Sequence, residues 1–253
     1  MAVTLEKNSL HYISGFAPVR CDTHFRHNVK LADEFFTDES VTWVALGSVL
    51  YDVRNGMNVK TEYYSMEETD TLYLSVSQIK EYGLIAKNQN YLTDEVKDQS
   101  GYFELEPNMI VVTRSGTIGV ALSTNHSSFD FSERTYVASG FVITAKVKPE
   151  FSANVIAGYI NLFDVQRYLT AMAAGACQRN IAQPIINQLP IPECLLSSEA
   201  DTHQEFADYE RGSREMLNYI SEKEKELANL KTDISSSIKQ KIKAFYAGDS
   251  SVN

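Results

Sequence analysis

MIVVTRSGTIGVALST, residues 109 to 124, sets two short apolar runs on either side of a polar segment that carries two glycines. Val, Ile and Thr dominate the flanks, and β-branched side chains suit extended backbone better than helix. Runs of this length bounded by turn residues predict strand, turn and strand, with Gly116 and Gly119 supplying the positive φ of a tight reversal. A glycine-rich segment also invites comparison with a phosphate-binding loop, but that loop needs G-x-x-x-x-G-K-S/T so that amides and a lysine hold the phosphates. Arg114-Ser115-Gly116-Thr117-Ile118-Gly119 has no lysine. A hairpin turn suits it better, with Arg114 and Ser115 free to project toward a ligand.

The same texture extends to both sides. VTWVALGSVLYDV from Val41, TLYLSVSQI from Thr71 and GFVITAKV from Gly140 are short β-branched and aromatic runs, separated by Gly, Asn and Asp signals. They predict a strand-rich domain, preceded by an irregular or partly helical lead-in over residues 1–40. SANVIAGYINLFDVQRYLTAMAA, from Ser152, spaces Val155 or Ile156, Tyr159, Phe163 and Met172 near helical period, which predicts one amphipathic helix with Ser152 as its N-cap and Gly175 as its stop. Gln178-Arg179-Asn180 then presents donors at a bend, and Pro190 and Pro192 keep any helix from running on, so this stretch is expected to be a joint.

Residues from about 202 to 246 contain no proline and one glycine, Gly212. Ile220, Leu227 and Ile234 fall in one heptad column and Tyr209, Met216 and Leu230 in another, with the stripe drifting toward Ile238 and Ile242. A helix of about 44 residues is a rod on the order of 65 Å long at roughly 1.5 Å per residue, and its stripe needs cover from a second helix. The expected architecture is therefore α+β: a lead-in (residues 1–40), a strand-rich domain (41–196) and a long coiled-coil helix (197–253) that dimerises.

The composition is that of a globular chain, 43% hydrophobic and 22% charged. Cys21, Cys177 and Cys194 lack C-x-x-C spacing, no apolar run of about 18 residues occurs, and Glu6 and Lys7 interrupt the N-terminus, so a soluble, cytoplasmic protein is expected. The net charge of -10 is unevenly spread: residues 1–110 hold 17 acidic and 9 basic groups, whereas residues 111–200 hold 6 of each. If DNA is the partner, the neutral middle should meet it through few phosphate contacts, with a shallow salt dependence and help from a basic partner subunit.

Catalytic signatures are weak. Asp94-Glu95-Val96-Lys97 has the letters of a metal-dependent nuclease but no earlier carboxylate to partner them. Cys21, His24 and His27 follow C-x-x-H-x-x-H, yet no second pair completes a tetrahedral zinc set, so no metal is expected. Neither an Asn-Pro-Pro-Tyr motif nor a glycine-rich site for S-adenosylmethionine is found, and no Ser/His/Asp set can be proposed from spacing. The chain is expected not to be an enzyme.

In order, Trp43 to Gly47, Leu74-Ser75-Val76-Ser77-Gln78-Ile79, Gly83-Leu84-Ile85, Leu105 to Ile110 leading into Arg114 to Gly119, Gly175 to Ile181, Leu189-Pro190-Ile191-Pro192 and the long helix after Gln204 together resemble half of the specificity subunit of type I restriction-modification enzymes. The resemblance spans residues 41 to about 246. It implies a target recognition domain that reads one half of a bipartite DNA site, followed by a spacer helix that docks methyltransferase subunits. Two departures stand out: Pro107-Asn108 replaces the usual Gly-Asp, and Glu193-Cys194-Leu195-Leu196 has fewer prolines than the family's loop. The third is length, since the family carries two recognition domains and two spacers, which makes this chain look like a half-subunit. Pairing the helices antiparallel, as Tyr209, Met216, Ile220, Leu227, Leu230, Ile234 and Ile238 would allow, restores the two-fold plan and matches an interrupted palindrome.

Base edges are read by Arg, Lys, Asn and Gln most effectively. Polar residues flanking glycine-marked turns in the neutral middle are the candidates: Arg114, Ser115, Arg134, Thr135, Tyr136, Gln178 and Arg179. No cofactor is expected in this chain. S-adenosylmethionine, ATP and Mg²⁺ would belong to the adenine methyltransferase and restriction subunits. A coiled-coil adaptor or decoy that binds those subunits without reading DNA is the competing expectation.

Overall fold

The computed structural model describes residue 36, residues 39–85, 89–173 and 179–196, and in the C-terminal region residues 215, 219, 222–223, 226–227 and 229–241. Twelve strands are present among them. They are β1 (Trp43–Ala45), β2 (Leu50–Asn55), β3 (Tyr64–Ser65), β4 (Thr71–Leu74), β5 (Ile79–Lys80), β6 (Gly83–Leu84), β7 (Asn90–Leu92), β8 (Met109–Thr113), β9 (Ala121–Ser123), β10 (Thr135–Ala138), β11 (Val142–Val147) and β12 (Pro190–Pro192). Three α-helices lie between β11 and β12: α1 (Ala153–Ile160), α2 (Phe163–Met172) and the short α3 (Gln183–Gln188).

The quoted hairpin is the spine of the domain. Strands β8 and β9 pair antiparallel, and the sheet runs β2-β11-β8-β9 with antiparallel neighbours throughout. Every residue of β8 is buried because both of its faces are covered. Ile110 and Val112 join Ile143 and Ala145 under α1 and α2, while Met109 and Val111 face a second core with Leu72, Leu74, Tyr136 and Ala138. That is why the run reads as continuously apolar where a one-sided strand would alternate.

The second sheet, β10-β4-β7-β3, is mixed, with β10 parallel to β4 and antiparallel pairs elsewhere. Its outer face is covered in turn by Met57, Val96 and the rings around Tyr73. The parallel pair brings Thr135 level with Thr71 and Ala138 level with Leu74, across more than sixty residues of chain. Nothing in the local pattern announces it.

The predicted single helix is two. Ser152 caps α1 as expected, its Oγ accepting from the Val155 amide. The helix then stops at Asn161, whose side chain turns onto the edge of β9: the Ala121 amide donates to Asn161 Oδ1 at 2.9 Å and Asn161 Nδ2 donates to the Ala121 carbonyl at 2.8 Å. An amide side chain that satisfies a strand edge twice competes with helix propagation. Gly175 lies outside the described residues.

Pro190-Ile191-Pro192 is a strand of the domain, which corrects the expectation of a joint. Trp43 pairs with Pro192 and Ala45 with Pro190, while Leu46 N donates to Leu189 O and Glu193 N to Thr42 O at 2.8 Å each. Both prolines fall on the pairs between those ladder bonds, where an amide hydrogen would point away from the partner, so their missing donors cost nothing. Buried Tyr159 donates its hydroxyl to Pro190 O and ties this strand to α1. Asn108 adopts φ 59° and binds the start of α1: its Oδ1 accepts from Ala153 N, and its Nδ2 donates to Val147 O and Phe151 O. Asn tolerates this left-handed backbone better than most residues.

Residues 229–241 are α-helical and exposed, with Leu227, Leu230, Ile234 and Ile238 each about half exposed. Tyr209, Met216 and Ile220 lie outside the described residues. No described helix is long and apolar enough to cross a membrane. Asn161→Ala should leave the Ala121 amide and carbonyl without their protein partners and lower stability by about 1–3 kcal/mol in urea unfolding, and an unchanged midpoint would contradict the bracing role of Asn161.

Candidate nucleic-acid interface

The turn between β8 and β9 is fixed by short bonds before it presents any side chain. Gly119 N donates to Thr113 O at 2.7 Å, and Gly116 and Gly119 hold φ of 74° and 81° as expected. Gly119 is also crowded, because a Cβ there would meet Leu169 Cδ1 at 3.0 Å and the Gln166 amide at 3.2 Å. Gln166 locks the turn to the helices by donating from Nε2 to both Gly119 O (2.7 Å) and Ile160 O (2.8 Å). Gly116 is open by comparison, with only Val76 Cγ1 near, at 3.6 Å.

Two further segments close on the first two residues of this turn. Arg114 N donates to Phe141 O at 3.0 Å, and its Nη1 reaches Gly140 O at 3.4 Å. On the other side Ile181 N donates to Arg114 O at 3.0 Å, and Ser115 bridges Asn180 in antiparallel fashion. Residues 114–117, 139–141 and 179–181, from three distant parts of the chain, thus meet at one end of the sheets.

Their meeting borders an open groove of about 590 Å³. Ser115, Gly116, Thr117, Ser139 and Phe141 line it together with Tyr64, Tyr73, Ser75 and Ser77. The lining is aromatic and hydroxyl-rich and contains no carboxylate. Tyr73 packs edge-on to Tyr64 with centroids 5.7 Å apart and donates to Met57 O at 2.9 Å. Burial, reinforced by the Tyr64 neighbour, pushes its hydroxyl up to about 12, so it stays a protonated donor at neutral pH.

The residues expected at the interface divide into two groups. Arg114, Ser115 and Arg179 gather at the groove end, although Ser115 is itself buried. The Arg114 guanidinium Nε is buried without an acceptor among the described residues. Gln178 lies outside the described residues. Arg134, Thr135 and Tyr136 stand at the opposite end of β10, roughly 13 Å of strand away at about 3.3 Å per residue. Arg134 donates to Thr69 O at 2.7 Å and pairs with Glu68, which holds it firmly charged.

Thr135 N donates to Asp70 O at 2.8 Å, and Tyr136, 3% exposed, accepts from Asp130 N and packs against Phe129 and Phe131. Tyr136 is therefore a core residue, and Arg134 is a brace for the parallel strand pair. Sequence reasoning missed Tyr64, Tyr73, Ser75, Ser77 and Phe141, which lie on separate segments that only the tertiary fold unites. The one local signal among them is Ser75-Val76-Ser77-Gln78, a capping-box pattern realised by Ser75 N donating to Gln78 Oε1 at 2.9 Å. Among the described residues no cluster of His, Cys, Asp and Glu could hold a metal ion. Cys21, His24 and His27 lie outside them.

No family model matches the chain, and no curated protein matches it. Solved structures do. The chain is similar to an S subunit of a type I restriction-modification system from M. genitalium, at 14% identity and a TM-score of 0.40, over 84% of this chain and 48% of that one. It is similar to the HsdS subunit from Thermoanaerobacter tengcongensis at 10% identity and a TM-score of 0.44, over 84% and 47%. A chain from a type I R-M system, solved for its complex assembly and conformational transition, matches at 10% identity and a TM-score of 0.46, over 78% and 50%. The chain spans about half the length of the solved structures it matches.

The two glycines separate conformation from crowding. Gly116→Ala should cost about 1–2 kcal/mol, the penalty of a left-handed alanine, while Gly119→Ala carries that penalty plus the collision with Leu169 and should unfold at distinctly lower urea. Equal midpoints for the two variants would contradict the packing of the turn against α2.

Proposed function

We propose that the chain is the non-catalytic DNA-recognition half-subunit of a type I restriction-modification complex. The motif order from Trp43 to the C-terminal helix supports this family reading. The observation that carries it furthest is the convergence of residues 114–117, 139–141 and 179–181 on one groove free of lining carboxylates. A rigid, hydroxyl-rich rim with Arg114 and Arg179 in its supporting segments offers donors and acceptors to base edges.

Chemistry belongs to partners in this proposal. Adenine methyltransferase subunits would bring S-adenosylmethionine, and a restriction subunit would bring ATP and Mg²⁺. The exposed stripe of Leu227, Leu230, Ile234 and Ile238 favours pairing of two such helices antiparallel, which would hold two recognition domains at a fixed separation. A two-fold assembly matches a two-fold site.

Co-expression with the neighbouring methyltransferase genes, followed by genome-wide mapping of N6-methyladenine, tests the proposal. An interrupted palindrome is expected. An asymmetric interrupted motif would contradict self-pairing in favour of a second half-subunit, and no methylation beyond that of the methyltransferase alone would contradict DNA recognition and leave the adaptor as the account.

A further inference from the structure

Phe141 is out of keeping with its position. It sits in the reversal from β10 to β11, where Val142 N donates back to Ser139 O at 2.8 Å, and turns of this kind ordinarily carry Gly, Asn, Asp or Ser. The residue is nevertheless 53% exposed and makes no ring contact with another described aromatic residue. A polar residue would be cheaper there, since exposed apolar surface gains nothing from folding.

The backbone that carries the ring is held from several directions. Ser139 N donates to Leu74 O at 2.9 Å, Gly140 N to Met57 O at 3.0 Å and Arg114 N to Phe141 O at 3.0 Å. The ring is therefore presented by a fixed turn, on the same groove as Ser115, Thr117, Ser75 and Ser77. A preorganised apolar group among hydroxyls suits a surface whose polar edges alternate with single methyl groups. The major groove of DNA has that character, because thymine alone presents a C5-methyl beside hydrogen-bonding atoms.

We infer that Phe141 reads a thymine by apolar contact with its C5-methyl group, while the hydroxyls and arginines around it contact the neighbouring polar edges. This rests on the proposed recognition of DNA by the groove.

The test uses the assembled complex with its methyltransferase subunits. Mapping with the wild-type chain comes first, and absence of any motif overturns the recognition proposal before Phe141 is touched. With a motif in hand, duplexes carrying uracil for thymine at each position in turn are compared in binding. At one position in the half-site, loss of the methyl should weaken wild-type binding about fourfold, the effect of one buried methyl group. Phe141→Ala should bind the thymine and uracil duplexes equally there, and its methylation motif should relax at that position alone; Phe141→Leu, which keeps apolar bulk, should retain part of the preference. Three results would overturn the inference: no wild-type discrimination between uracil and thymine at any position, discrimination that persists in Phe141→Ala, or an unchanged motif in that variant. The uracil scan needs only the wild-type chain, so a variant that fails to fold leaves the inference open to refutation.

Discussion

Strand β8 has to be covered on both faces, and the rest of the domain is arranged to do so. Ile110 and Val112 require α1 and α2 above them, and Met109 and Val111 require the mixed sheet below. Five consecutive buried residues represent several kcal/mol of apolar transfer at about 25 cal/mol per Å², far more than any single surface pair in the molecule. Once both layers are in place, the turn that leaves β8 has no freedom: α2 holds Gly119 through Gln166, the β10–β11 turn holds Arg114, and the segment before α3 holds Ser115. The groove is a by-product of covering that strand.

This order of causes separates what could be read in the chain from what could not. The hairpin at 109–124 was legible because β-branched runs and two glycines act locally, and the Ser152 cap was legible for the same reason. The break at Asn161 was hidden, since the helical period continues through it and only the distant edge of β9 gives the amide a competing partner. Pro190 and Pro192 misled in an instructive way. Alternate spacing is compatible with a strand whose prolines face away from the ladder, but without knowledge of the partner strand at Trp43–Ala45 the residues read more simply as a stop.

The candidate site shows the same division. Arg114, Ser115 and Arg179 could be picked out by composition around glycine-marked turns, and the fold brings them together. Arg134 and Tyr136 were picked out by the same signal and are used elsewhere, one to brace a parallel strand pair through Glu68 and Thr69, the other to fill a core with Phe129 and Phe131. Polar residues beside turns serve structure as readily as ligands, and the parallel pairing of β10 with β4 decides between the two here. Tyr64, Tyr73 and Phe141 carried no local signal at all.

The account therefore stands on the groove, and not the Arg134 end of β10, being the face that meets DNA. Hydroxyl-radical footprinting of the intact methyltransferase complex reports this directly, because Tyr64 and Phe141 are 37% and 53% exposed in the absence of DNA and both ring types oxidise readily. Loss of reactivity at both rings on adding DNA that carries the mapped motif, with the peptide around Arg134 unchanged, is the predicted result. Bound DNA that leaves both rings as reactive as before, or that protects the Arg134 peptide alone, would contradict it.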